Sequence, residues 1–166
     1  MKVILVGIDI QEEDFEESFI ELKGLASACH YQVVGTLTQN LKSINKKYYM
    51  GSGKLPILKS MIAEHQSDGI IFNNDLTPLQ QKNLEDELQC AVLDRTQLIL
   101  NIFAKRAKTK EAKLQVEVAR LSYLLPRLVL QDANYEQQTG GSAKTRGSGE
   151  KQLELNKRLI KNCTIK

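Results

Sequence analysis

Leu114-Gln-Val-Glu-Val118-Ala-Arg-Leu121-Ser-Tyr-Leu-Leu125-Pro-Arg-Leu128 is the stretch that decides the fold. Leu114, Val118, Leu121, Leu125 and Leu128 recur at spacings of four, three, four and three. That is a strict heptad seam, the pattern of a helix lying along a partner helix. The helix reads from about Thr109 to Ala133. A glycine-rich basic loop follows, Thr139-Gly-Gly-Ser-Ala-Lys-Thr-Arg-Gly-Ser-Gly-Glu150. A second arm carrying Leu153, Leu155, Leu159 and Ile160 then runs back. The expectation is a long antiparallel two-helix hairpin with a glycine and arginine tip.

Upstream of the stalk the pattern changes to strands and helices in alternation. Val3 to Val6 is a continuous apolar run closed by Gly7, as in a parallel strand buried on both faces. Glu12 to His30 opens with acids suited to a helix N-terminus, and Phe15, Phe19, Leu22, Ala26 and Cys29 make its buried face. Gln32 to Thr38 reads as a second strand, and Asn40 to Tyr49 as a basic loop. Ser52 reads as the N-cap of the next helix, with Pro56 in its first turn and Leu58, Met61, Ile62 and His65 on its buried side. Gly69 to Asn73 is a third strand. Thr77-Pro78 opens a helix that runs to about Gln89. Cys90 to Asp94 is a fourth strand, and Arg95 to Arg106 a short helix with Leu98, Ile99, Ile102 and Phe103 facing inward. The reading is α/β: a small four-stranded parallel sheet flanked by helices, followed by the hairpin. It divides the chain into an α/β subdomain, residues 1–104, and a hairpin, residues 105–166, with its tip at about 134–147.

Composition narrows the function classes. The 166 residues carry a net charge of +3, unevenly spread. Residues 1–99 hold nine Lys/Arg and fourteen Asp/Glu, a net of −5, whereas residues 100–166 hold fourteen and six, a net of +8. A basic stalk on an acidic body points to an anionic partner. No apolar run is long enough to span a bilayer. Three scattered cysteines and two isolated histidines have no metal-ligand spacing, so no metal site is expected and the thiols read as reduced and cytosolic.

Candidate sites fall in three places. In the tip loop, Gly140, Gly141, Gly147 and Gly149 permit close backbone approach, Lys144 and Arg146 bring charge, and Thr145 brings a hydroxyl. This composition suits a phosphate backbone or folded RNA, although glycine loops also serve as simple helix connections. The gap from near Asp132 to Ser148 is roughly twice the two to eight residues such a connection needs, which favours function. Gly51-Ser52-Gly53-Lys54 fails the G-x-x-x-x-G-K-[S/T] phosphate-loop pattern, because Tyr48 stands where the first glycine belongs and Leu55 follows the lysine. It reads as a structural turn or a weak anion site at a helix N-terminus. Asp9, Asp75 and Asp94 lie at strand ends, where open parallel sheets bind ligands. Asp75 also suits support of the following turn, and Asp94 a pair with Arg95. No nucleophile context is recognisable, so no catalytic residue is expected.

The run from Leu93-Asp-Arg-Thr-Gln-Leu-Ile-Leu-Asn-Ile-Phe-Ala-Lys-Arg-Ala-Lys-Thr to Leu-Leu-Pro-Arg127 closely resembles the N-terminal domain of the HflX GTPases. So do Tyr49-Met-Gly-Ser-Gly-Lys54 and Thr145-Arg-Gly-Ser-Gly-Glu-Lys-Gln-Leu-Glu154. The resemblance covers essentially the whole chain. It implies a small α/β subdomain with a long helical hairpin, ahead of a GTP-binding domain. It also implies binding to the large ribosomal subunit and separation of stalled or idle ribosomes, with the tip entering the peptidyl-transferase region. GTP and Mg2+ are implied only for a C-terminal domain encoded downstream, and no cofactor for these residues. Within the loop, Ala143-Lys144 and Ser148 depart from the family's usual run.

The expectation is therefore a cytoplasmic, ribosome-associated, RNA-binding module without catalysis of its own. Lys144 and Arg146 would touch ribosomal RNA at the tip, and Lys105, Arg106, Lys108, Lys110 and Lys113 would meet phosphates near the base. One alternative is a nucleotide-binding α/β domain that uses a crevice near Gly7, Asp9, Asn73 and Asp75. Another is a stand-alone regulator that competes with an intact GTPase for its ribosomal site.

Overall fold

The computed structural model describes residues 1–11 and 13–138. Four parallel strands, β1 (Lys2–Asp9), β2 (Gln32–Asn40), β3 (Gly69–Phe72) and β4 (Ala91–Leu93), lie in the order β2-β1-β3-β4. They alternate with helices α1 (Phe15–Ala28), α2 (Leu55–His65), α3 (Pro78–Leu88) and α4 (Arg95–Arg106). The helix α5 (Lys110–Gln138) then leaves the body as a single 29-residue rod. Residues 134–138, expected to open the tip, continue α5 instead, and the rest of the tip loop and the expected antiparallel second arm lie outside the described residues.

The apolar strand runs are continuous because the sheet is covered on both faces. On one face Val3, Leu5, Ile71 and Leu93 pack against Phe15, Phe19 and Leu22 of α1 and Leu98 and Ile102 of α4. On the other, Ile4, Val6, Ile70, Phe72 and Val92 pack against Leu55 and Leu58 of α2 and Leu84 and Leu88 of α3. Gly7 is needed where it stands, because an added Cβ would lie 2.8 Å from both Phe15 and Phe19. Thr77 caps α3 with a reciprocal capping box to Gln80, and Pro78 occupies the first turn, as expected.

Three local expectations need correction. Ser52 is not the N-cap of α2. Residues Ser52–Lys54 form a 3-10 turn, and the α-helix begins at Leu55, where Pro56 fixes its first turn. Phe103 does not face the body and is 56% exposed, about 100° around α4 from the buried Ile102. Asp94 does not pair with Arg95, whose guanidinium reaches Ser18, Asn73 and Glu21 instead.

The seam of α5 holds the main surprise. Leu114, Val118, Leu121, Leu125 and Leu128 are all exposed, with Leu114 the most open at 68%. The body is met by a second stripe, Val116, Arg120, Tyr123 and Arg127, whose members are buried or half-buried. The two stripes are offset by two residues, about 200° around a helix of 3.6 residues per turn. The helix thus turns a largely polar face to its own body and an apolar face away from it.

Candidate functional site

The corner where α4 gives way to α5 concentrates positive charge. Lys105 and Arg106 sit in the last turn of α4, where cations suit the carbonyl end of the helix. Lys105 Nζ approaches the Cys29 carbonyl at 3.4 Å, and Arg106 and Lys108 are exposed. Thr109 then caps α5, its hydroxyl accepting from the Ala112 amide at 3.1 Å. Lys110 and Lys113 follow in the first turn, both exposed. Cations there oppose the helix dipole, so helix stability does not explain them. Four of these basic side chains sit on two helix ends, and the fifth, Lys108, lies in the three-residue link 107–109 between them.

Beyond that corner the stalk is clamped by Arg127, which local spacing did not single out, and by Asp94, a strand-end candidate in the sequence. Arg127 donates from Nε to Gln81 Oε1 at 2.7 Å and from its terminal nitrogens to the carbonyls of Tyr123 at 2.9 Å and Leu76 at 2.8 Å. It reaches the Asp94 carboxylate at 3.3 Å and lies 3.5 Å over the Tyr123 ring. Asp94, buried, also accepts from the amides of Leu76 and Gln97, the latter capping α4. Burial, and then the negative charge of Asp94, push the Tyr123 hydroxyl far above its ordinary value, so it stays protonated. The pair joins the end of β4 to the stalk. Its only trace in the sequence is an arginine and an aspartate at the two ends of the run Leu93 to Arg127.

The strand-end crevice is filled by its own polar groups. The Asn74 carboxamide, which sequence reasoning passed over, spans the amide and carbonyl of Ile8 at 2.9 and 3.0 Å. It continues the β1–β3 ladder across the place where a ligand would enter. Asn73 bonds Ser18 and Arg95, Asp75 accepts from the Thr96 hydroxyl at 2.6 Å, and Asp9 accepts from the Gln11 amide. Gly7 lies beneath two phenylalanine rings. At Gly51-Ser52-Gly53-Lys54, the Gly51 amide donates to Gln39 Oε1 and the Lys54 amide to the Gly51 carbonyl. Two of the amides an anion would need are thus engaged within the chain, which favours the structural turn. The tip residues Gly140, Gly141, Lys144, Thr145, Arg146, Gly147 and Gly149 lie outside the described residues. Among the described residues no group of three or more His, Cys, Asp or Glu is placed to hold a metal ion. No helix among them is long and apolar enough to cross a membrane.

Comparison with known proteins adds relatives of known class. A family model described as "GTP-binding GTPase N-terminal" matches residues 16–104, and one described as "GTP-binding GTPase Middle Region" matches residues 106–165. The chain is 49% identical over 161 residues to the GTPase HflX of Alkalihalophilus pseudofirmus, covering 96% of this chain and 38% of that protein. It is 38% identical over 164 residues to the GTPase HflX of Escherichia coli K12, covering 99% of this chain and 38% of that one. It thus spans less than two-fifths of the length of these relatives. Among solved structures, a GTP-binding protein from Sulfolobus solfataricus in complex with GDP is similar at a TM-score of 0.59 and 30% identity, covering 97% of this chain and 45% of that one. A structure titled as a complex of SsGBP and GDP gives a TM-score of 0.62 at 28% identity.

Proposed function

The chain belongs to the HflX family of GTPases, whose N-terminal and middle regions it matches, and from that premise we propose that it is the family's ribosome-binding module. In this reading the α/β body is a platform and α5 is one arm of a hairpin. The second arm covers the seam from Leu114 to Leu128, and the tip with Lys144 and Arg146 contacts ribosomal RNA on the large subunit in ribosome splitting or rescue. Lys105, Arg106, Lys108, Lys110 and Lys113 meet phosphates at the base. The binding and hydrolysis of GTP with Mg2+ are assigned to the part of the family's chain beyond the region matched here. The setting is the cytoplasm.

The observation that carries the reading is the orientation of α5. A heptad seam turned away from its own body needs a partner helix, and a basic corner at its root supplies the charge for phosphate contacts. The nucleotide-crevice alternative finds its polar groups already engaged. Competition with an intact GTPase would use the same ribosomal contacts, so it shares this test.

Sedimentation with purified large subunits at two salt concentrations tests the proposal. Binding is expected at about 50 mM salt and to fall by at least tenfold at about 200 mM, as released counterions require. Charge reversal of Lys105, Arg106 and Lys108 is expected to lower affinity and flatten the salt slope. Absence of co-sedimentation at the lower salt would remove the proposal.

A further inference from the structure

Phe103 breaks the pattern of the other phenylalanines. Phe15, Phe19 and Phe72 are at most 6% exposed, whereas Phe103, near the end of α4, is 56% exposed. It is the only exposed aromatic ring among the described residues, since Tyr31 is buried and Tyr48, Tyr49 and Tyr123 are half-buried. A lone exposed apolar side chain is ordinary. What sets this one apart is its company. Residues 103–113 hold five Lys/Arg and one acid, Glu111, a net of +4. Arg106, three residues on from Phe103, neighbours it on the helix surface. The seam of α5 does not account for the ring either. α4 packs on the body-facing side of α5, where Gln97 and Asn101 share a cleft with Arg120 and Tyr123. A helix laid along Leu114 to Leu128 lies on the other side of α5 and leaves Phe103 open.

We infer that Phe103 is a stacking platform for an unpaired base of RNA held at the basic corner, an inference that rests on the RNA-binding reading of that corner. A base offers flat apolar faces, and its phosphate lies one sugar away, so one nucleotide answers both the ring and the cations. A duplex keeps its bases stacked within and answers the cations alone. An apolar protein surface matches the ring but has to desolvate the cations around it, which is costly. Stacking tolerates any base, because every base has a π face. The ring therefore makes the corner prefer loops, bulges and single strands to duplex, without reading their sequence.

The chain contains no tryptophan, so Phe103→Trp places a single indole reporter at the site. The full chain carrying it is titrated at low salt with a labelled oligouridylate and with a labelled RNA duplex of equal length. Anisotropy of the label reports binding, and indole fluorescence reports stacking. The single strand is expected to bind with saturable quenching, and the duplex to bind without it. Phe103→Ala is expected to weaken single-strand binding about tenfold and to leave duplex binding unchanged, whereas Phe103→Tyr retains both. An unchanged urea midpoint shows that each variant folds. Single-strand binding without quenching, or equal losses for strand and duplex in Phe103→Ala, would overturn the platform and leave the ribosome-binding reading standing. Failure of both RNAs to bind would overturn the corner as an RNA site and the platform with it. Loss of co-sedimentation with large subunits in Phe103→Ala, with no quenching by the oligonucleotide, would assign the ring to a protein surface and equally overturn the platform.

Discussion

Arg127 shows how much one side chain contributes at this joint. Its guanidinium is 13% exposed and Asp94 is 1% exposed, so removing the cation leaves a buried carboxylate without its counter-charge. Arg127→Ala is expected to destabilise the chain by about 3–5 kcal/mol in urea unfolding. Arg127→Lys should recover little, since an ammonium cannot reach Gln81, Leu76 and Asp94 together. Cys90 behaves in the opposite sense. Burial pushes its thiol from 9.0 up to about 12, with a smaller push from the charge of Glu85. A raised value in the folded chain means the neutral thiol is favoured there. That stabilisation is fully present below about pH 9 and is lost as pH rises toward about 12. Alkylation at pH 8 should therefore spare Cys90 in the folded chain and label it only after unfolding, which mass spectrometry would read. The Asp94–Arg127 pair is not legible from sequence, because 33 residues separate its members and no local spacing joins them. Asn74 is not legible either, because its role rests on its side chain spanning the Ile8 amide and carbonyl 66 residues away.

At the scale of elements, α5 carries two stripes with different partners. Leu121→Asp with Leu125→Asp is expected to change the unfolding free energy of the α/β body by no more than about 0.5 kcal/mol, because both side chains are exposed. Chemical denaturation followed by the tyrosines of the body checks this, and a loss of several kcal/mol would mean that the seam packs on the body after all. The strands were legible because burial on both faces leaves continuous apolar runs. The start of α3 was legible because Thr77 and Pro78 act within one turn. The start of α2 was misplaced because Pro56 sets it and Ser52 lies too far upstream to cap it. Phe103 was assigned inward by its apolar character, although it lies about 100° around α4 from Ile102. Periodicity established the seam as a contact face, but it carries no record of which partner covers it.

For the whole molecule, the acidic body and basic stalk were legible as an imbalance of charge. The structure sharpens this to a corner where α4 and α5 meet. The three-residue link and the capped start of α5 keep those lysines close to one another, so the loss on raising salt should be steep and shared among them. The position of the Arg127 clamp has a mechanical consequence. The seam residues Leu121, Leu125 and Leu128 occupy the same two turns as Tyr123 and Arg127, so a load applied to the outer face bears directly on the fastened turns. Arg127 ties those turns to Gln81 and Leu76 at α3 and to Asp94 at the end of β4. The clamp thus falls at the turn where Pro126, inside the helix, removes one of its backbone hydrogen bonds. A pull that lifts the stalk must break those hydrogen bonds together.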